Sequence, residues 1–418
     1  MTTPEQFIGW PALLAQLLER RDLTSAQAEA AITQILTGDA TPSQMTAFII
    51  ALRAKGETAA ELEGMLHAVR SAGNRVPLSA AVAERAIDIV GTGGDKSNSV
   101  NVSTMSSLVV AGAGVPVCKH GNRAASSKCG AADLLEAAGV AVELDGDGVA
   151  AVIADAGFGF CLAARFHPAF RYTAPSRREI GVPTAFNLLG PMANPAPIAN
   201  MLVGVAMPNM MDRMAEALAT RGVSSAWVVH GHGGLDELAV SGPNTVFELR
   251  DGQVHKFEVN AKDFGIPVST LDDIRGGDPL ENLEILKRTF AGEAGPVRDI
   301  VTFNAGCAMY VAGLVGEVSE GIDRARASID SGAAQSVLNT VVASSQRGER
   351  SKPALKSPLW KMRSMVSLEG STWAMAGQAQ ATTMASSVNG RGHMDLVLGL
   401  KTLPARKRHS FGLANPGL

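Results

Sequence analysis

Apolar residues recur at helical spacing through the first 73 residues, in runs set off by clear start and stop signals. Thr24 and Gln27 form a capping-box pair, in which each side chain serves the other residue's backbone N–H, and Gly38 closes that segment. Thr41, Pro42 and Gln44 open the next, with proline at the first helical position, where its missing N–H costs nothing. Met45, Phe48, Ile49 and Leu52 then fall on one face, and Gly56 ends the run. Thr58 and Glu61 start a third segment that carries Leu62, Leu66 and Val69 to Gly73. The pattern predicts a small helical domain over residues 1–73. Its apolar stripes pack internally or against a second copy.

From Arg85 the texture changes to short β-rich runs alternating with Ala-rich helices. Strands are predicted at Ala86–Val90, Val115–Lys119, Val140–Leu144, Ala199–Val205, Ser225–His230 and Thr245–Leu249. Helices are predicted at Ser99–Gly112, Ala131–Ala138 and Met210–Thr220, with a final one near Ile322–Val342. Such alternation argues for an α/β domain with a largely parallel central sheet, here over residues 74–346. Beyond about Gln346 the periodicity fades into Ser, Thr, Gly and Ala, and residues 347–418 read as a poorly ordered tail.

Composition refines this picture. The net charge is −3 over 418 residues, but the tail carries 11 Lys/Arg against 3 Asp/Glu, so the body is acidic. An acidic body disfavours nucleic-acid binding, and the cluster Arg406-Lys407-Arg408-His409 reads first as a solvated charge run. Cys118, Cys129, Cys161 and Cys307 lack Cys-x-x-Cys spacing, which fits reduced thiols in a cytoplasmic protein. The N-terminus has no basic region before an apolar run, and no run is long enough to span a bilayer.

Four loops carry candidate chemistry. The run Asp88-Ile89-Val90-Gly91-Thr92-Gly93-Gly94-Asp95 is a buried strand ending in a glycine turn, followed by the Ser/Thr-rich entry Ser99 to Thr104. A glycine turn before a helix N-terminus suits a phosphate or pyrophosphate, and Asp95 adds a partner for a metal or a ribose hydroxyl. Lys119-His120-Gly121-Asn122-Arg123-Ala124-Ala125-Ser126-Ser127 follows the next predicted strand, and loops at strand C-termini share one crevice. Lys119, Arg123, Ser126 and Ser127 supply the cations and hydroxyls a phosphorylated ligand needs. His120 reads equally as a base, an orienting donor or a hydrogen-bonded loop residue. Arg177 and Arg178 form a carboxylate fork or ion pairs with acids such as Glu179. Upstream, Arg165 to Arg171 adds aromatic and basic groups, and Phe158 and Phe160 read as pocket wall or core. His230 to Glu237 is a glycine loop ending in Asp236 and Glu237, an acidic turn or a Mg²⁺ site; zinc lacks a third partner there.

Taken in order, GTGGD, NVST, KHGNRAASS, RREIGVPTAFNLLGP, NP and GLDE resemble the anthranilate phosphoribosyltransferase family over roughly residues 8–346, with LRAKGET at 52–58 also similar. The resemblance implies a helical domain hinged to a large α/β domain of nucleoside phosphorylase/phosphoribosyltransferase type, assembled as a homodimer. It implies transfer of the phosphoribosyl group of phosphoribosyl pyrophosphate to the amine of anthranilate, with Mg²⁺. Gly91, Gly93, Gly94, Asp95, Ser99, Asn101, Ser103 and Thr104, with Lys119, Arg123, Ser126 and Ser127, match the donor-binding positions. Gly91, His120, Asn122 and Arg177 match the anthranilate positions, and Ser103, Asp236 and Glu237 the metal positions. Cys129 and Ala131 stand where the family more often has serines, and Phe170 where a hydroxylated aromatic occurs. The tail from Arg347 has no counterpart. The aromatic amine is uncharged at neutral pH, so orientation suffices and no general base is expected. The rival readings are a pyrimidine nucleoside phosphorylase-like enzyme and a non-catalytic nucleic-acid-binding relative.

Overall fold

A computed structural model describes residues 7–124 and 127–350. Ser126 and the tail from 351 therefore lie outside the described residues. Helices α1 (Trp10–Leu18), α2 (Ser25–Thr37), α3 (Pro42–Lys55) and α4 (Ala59–Ser71) form the helical part. Thr24, Thr41 and Thr58 each complete the expected capping box, and Gly38 takes a left-handed φ of 84° at the end of α2. Met45, Phe48, Ile49, Leu52, Leu62, Leu66 and Val69 are all buried. The loop into α4 is tied by a buried ion pair. Lys55 Nζ donates to Glu61 Oε2 (2.9 Å), Asp22 Oδ1 (2.7 Å) and the Gly56 carbonyl (2.7 Å), while Glu61 Oε1 accepts the Leu23 N–H (2.8 Å).

Short α5 (Ala80–Arg85) leads into β1 (Ile87–Gly91), α6 (Val102–Gly112), β2 (Val117–Gly121), α7 (Ala131–Ala137), α8 (Gly146–Ala156) and β3 (Phe158–Leu162). Helices α9 (Ala163–Phe166), α10 (Ala174–Ile180) and α11 (Ala185–Met192) then leave the sheet, and α10 and α11 pack on the N-terminal helices α3 and α4. The chain returns through β4 (Asn200–Gly204), α12 (Met211–Arg221), β5 (Ser225–His230) and the hairpin β6 (Pro243–Arg250) and β7 (Gln253–Asn260). It ends in α13 (Pro279–Phe290), α14 (Pro296–Val311), α15 (Val318–Asp330) and α16 (Ala333–Arg350).

The sheet order is β3-β2-β1-β4-β5-β6-β7, parallel from β3 through β5 and antiparallel in β6 and β7. The order reverses between β1 and β4, so the crevice for a ligand opens at their carboxyl ends.

Three expectations are corrected. Val140–Leu144 is not a strand: its apolar alternation serves a loop that packs beside α16, where Ala141 N–H donates to Ser345 Oγ (3.1 Å). The final helix is two, broken at Ser331-Gly332, where Gly332 has φ +77°. The helix expected from Ser99 begins at Val102, because Ser99 bridges Arg275 and Val100 N–H bonds Ile274.

Candidate active site

The segment Leu235-Asp236-Glu237, just beyond β5, lies across the ends of three strands. A methyl group on Gly91 would overlap the Asp236 carboxylate; on Gly204 it would overlap the Asp236 carbonyl, and on Gly231 the Glu237 carbonyl. Glycine at all three positions lets the acids sit directly on the sheet edge. Gly93 N–H donates to Asp236 Oδ2 (2.6 Å), and Gly93 and Gly94 hold φ of +70° and +85° with open space where a side chain would stand. The glycine turn therefore faces both the acids and the crevice. Asp95 Oδ1 accepts the Ser97 N–H (3.1 Å), and the Asp95 side chain also lies against Asp236.

Glu237 Oε1 accepts the Ser103 N–H (3.1 Å) at the first turn of α6, where unsatisfied amides favour negative charge. Burial raises Asp236 well above the ordinary carboxylate range, with Glu237 and Asp95 adding repulsion. Burial likewise pushes Glu237 up to about 7, against the pull of Lys119 and Ser103. Two crowded acids beside a serine hydroxyl form a hard oxygen donor set with surplus negative charge, which fits Mg²⁺. Among the described residues no three His, Cys, Asp or Glu side chains converge on one point.

Lys119 is buried opposite the acids, with Nζ donating to the Ile89 carbonyl (2.5 Å). Burial lowers its pKa, while Asp88, Glu237 and Asp236 act to raise it. Next to it, His120 Nδ1 lies 3.1 Å from the Gly190 carbonyl, and Nε2 is buried without a partner among the described residues. Burial pushes His120 down to about 3, helped by His167, so the ring is neutral. A neutral ring that donates from Nδ1 keeps Nε2 as an acceptor, suited to an amine N–H. An aromatic wall continues from it. His120 meets His167 at 5.2 Å, His167 meets Phe170 at 5.7 Å, and Phe170 meets Phe186 at 6.0 Å between centroids. Arg177 lies over Phe186 at 5.5 Å and makes no ion pair among the described residues. The open question over Arg177 is thereby narrowed: its guanidinium is free of Glu179. Phe158 and Phe160, by contrast, are core residues of β3.

Other candidates sit differently. Arg123 donates to Glu136 Oε1 (2.8 Å) and faces Asp133 and Glu143 at 3.6 Å each. Asn122 Oδ1 accepts the Arg123 N–H (2.9 Å), and exposed Ser127 reaches the Cys129 carbonyl at 3.4 Å. Asn101 Nδ2 donates to the Cys129 carbonyl (3.1 Å) and Oδ1 accepts from Asn282 (2.9 Å), so this residue braces two loops. Thr104 is fully buried within α6. Asp88, Asn194 and Asn282 are buried polar residues that the motif reading passed over, although Asp88 and Asn194 stand inside quoted segments. A charged or amide residue in an apolar run was the available signal.

Comparison with known proteins agrees with this geometry. The profile of the glycosyl transferase family a/b domain matches residues 83–335, and that of its helical bundle domain matches residues 11–73. The chain is 49% identical over 335 residues to the anthranilate phosphoribosyltransferase of Salinispora arenicola, covering 79% of this chain and 95% of that protein. It is 48% identical to that of Saccharopolyspora erythraea, covering 79% and 94%. Among solved structures, the Thermus thermophilus anthranilate phosphoribosyltransferase superposes with a TM-score of 0.76 at 38% identity, covering 80% of this chain and 99% of that one. The Saccharomyces cerevisiae enzyme in complex with PRPP and Mg gives 0.74 at 28% identity, covering 81% and 98%. With the acid pair, the glycine turn and the buried lysine gathered on one sheet edge, and with relatives this close over nearly their whole length, this chain belongs to the anthranilate phosphoribosyltransferase family.

Proposed function

We propose that this protein transfers the 5-phosphoribosyl group of phosphoribosyl pyrophosphate to the amine of anthranilate, giving N-(5-phosphoribosyl)anthranilate and pyrophosphate. The carrying observation is the crowded pair Asp236–Glu237 laid over Gly91 and Gly204, with Lys119 buried among the same charges. Phosphoribosyl pyrophosphate lies along the glycine turn, contacted by Gly91, Gly93, Gly94, Asp95, Ser99, Asn101, Ser103 and Thr104 from one side. Lys119, Arg123, Ser126 and Ser127 contact it from the other. Asp236, Glu237 and Ser103 would hold Mg²⁺, which when bound would supply positive charge toward the departing pyrophosphate.

The residues of the chain do the rest. Lys119 and the amides of the turn stabilise the leaving oxygens as the sugar carbon becomes oxocarbenium-like. Arg177 pairs with the anthranilate carboxylate, and Asn122 and the aromatic wall fix its ring. His120, neutral and with Nε2 as an acceptor, orients the amine. Positioning of this kind supplies several kcal/mol of the barrier without a general base.

The domain boundaries proposed are 1–73 and 74–346. The helical part is proposed to carry a homodimer interface, supported by exposed Ile8, Leu18 and Ile50. Four free cysteines support a cytoplasmic setting. The test is loss of anthranilate fluorescence with and without phosphoribosyl pyrophosphate and Mg²⁺. Turnover that needs both is expected. No turnover, or phosphorolysis of thymidine instead, overturns the reading.

A further inference from the structure

The two seams flanking β1 are built differently. Against β4, β1 pairs through all five residues, from Ile87↔Asn200 to Gly91↔Gly204. Against β2, the register holds only at Ile87↔Val117. Beyond that point the seam is closed by side chains. Asp88 Oδ1 accepts the His120 N–H (3.1 Å), and Lys119 Nζ donates back to the Ile89 carbonyl. Asn194, in the segment after α11, donates to Asp88 Oδ2 (2.8 Å) and to the Cys118 carbonyl (2.7 Å). Its own Oδ1 accepts the Ala196 N–H (2.9 Å), so its orientation is fixed. Asp88 and Asn194 are both fully buried.

The placement of this clamp matters. The open seam separates the glycine turn at the end of β1 from the loop that starts at the end of β2. A backbone ladder would bring both strands to standard spacing. Here the spacing is set by the length of an aspartate and an asparagine. The same clamp ties in α11, whose Gly190 carbonyl fixes the His120 ring. Three groups assigned to substrate, the turn amides, Lys119 and His120, thus have their mutual positions set from behind by two residues that do not face the crevice.

We propose that Asp88, with Asn194, is a positioning residue for phosphoribosyl transfer: it holds the β1 and β2 loops at the separation at which donor and acceptor meet in line. The inference rests on the reading that those loops hold phosphoribosyl pyrophosphate and anthranilate. Substrate affinity is spread over many contacts, whereas the reaction needs both loops in register. Displacing the clamp therefore acts on turnover more than on binding.

In Asp88→Asn, one of the two N–H groups loses its acceptor, since an amide offers a single oxygen. The expected result is a fall in kcat of about hundredfold, the scale set by an ångström-level misplacement. The Kd for phosphoribosyl pyrophosphate, measured by calorimetry with Mg²⁺ and no anthranilate, changes by less than about threefold. Asn194→Ala, which removes the other half of the clamp, shows the same split and carries the test if Asp88→Asn does not fold. Ile35→Ala, in the core of the helical part, serves as the control that lowers Tm without moving kcat of the folded protein. Turnover unchanged in the clamp variants overturns the proposal. So does a loss confined to affinity, or a loss that only tracks the folded fraction. Absence of turnover in the unmodified protein instead refutes the reaction itself.

Discussion

Lys55 and Lys119 are both buried lysines, one in each part of the molecule, and their surroundings differ in kind. Lys55 fills all three of its donor positions, on Asp22, Glu61 and the Gly56 carbonyl. Burial lowers its pKa, but the bonds to Asp22 and Glu61 outweigh this and the net shift is upward. Lys119 has one hydrogen bond among the described residues, to the Ile89 carbonyl, and its net shift is downward through burial even with three acids nearby. A structural lysine is satisfied by its own fold. A lysine whose donors are left over fits the proposed role of Lys119 toward a substrate phosphate.

This contrast predicts opposite outcomes for one substitution. Lys119→Met is expected to cut kcat/KM for phosphoribosyl pyrophosphate by about a thousandfold, the scale for one buried electrostatic donor, while Tm changes little. Lys55→Met should leave kcat unchanged and cost about 2 kcal/mol of stability, since one of its two acids is exposed. Denaturant melts beside the fluorescence assay separate the two effects, and equal activity losses would erase the distinction. Asp236→Asn extends the comparison to the acids. Turnover should drop about hundredfold with a weakened Mg²⁺ dependence, while relief of repulsion raises Tm of the metal-free protein.

The arginines repeat the lesson more gently. Arg177, without an ion pair among the described residues, should raise the KM for anthranilate about tenfold when changed to Ala, with little effect on the KM for the ribosyl donor. Arg123, also proposed to contact the donor, is shared with Glu136, Asp133 and Glu143, so Arg123→Ala should raise the donor KM by only about threefold. Equal changes in both variants would show that pairing in this structure does not predict use.

His120 gives the smallest and most specific signal. Its pKa is depressed to about 3, so between there and 6.5 the unfolded chain binds a proton the folded one does not. The sign follows: its contribution to stability is full above about 6.5 and is lost as pH falls toward 3. His120→Asn should therefore show a shallower loss of stability in acid than the unmodified protein. The ring carbon resonance of His120 should not titrate between pH 5 and 9. A midpoint near 6.5 would return His120 to the list of candidate bases.

Much of the fold was legible in the sequence because the signals are local. Thr24, Thr41 and Thr58 start helices through bonds that span three residues, and the apolar stripes beside them need no distant partner. The loops could be placed at strand ends for the same reason. What was hidden depends on long-range packing. Val140–Leu144 alternates like a strand but packs beside α16, some two hundred residues on. The strand β3, read only as aromatic core or pocket wall, is a continuous apolar run buried on both faces, which carries no alternation to read. Asn282 reaches Asn101 across 181 residues. The acids that pair with Arg123 were hidden in the same way, since they lie on α7 and beyond.

The three glycines beneath Asp236 and Glu237 have a practical consequence. The height of the acid pair above the sheet is set by side chains that are missing, so it can be tuned without touching any polar group. Gly204→Ala adds one methyl, replaces no polar side chain, and must lift the segment carrying Asp236. A graded series at Gly204 and Gly231 would act as a set of shims. It offers a way to ask how turnover depends on the distance between the oxygens proposed to hold Mg²⁺ and the leaving phosphate, with every proposed ligand side chain unchanged.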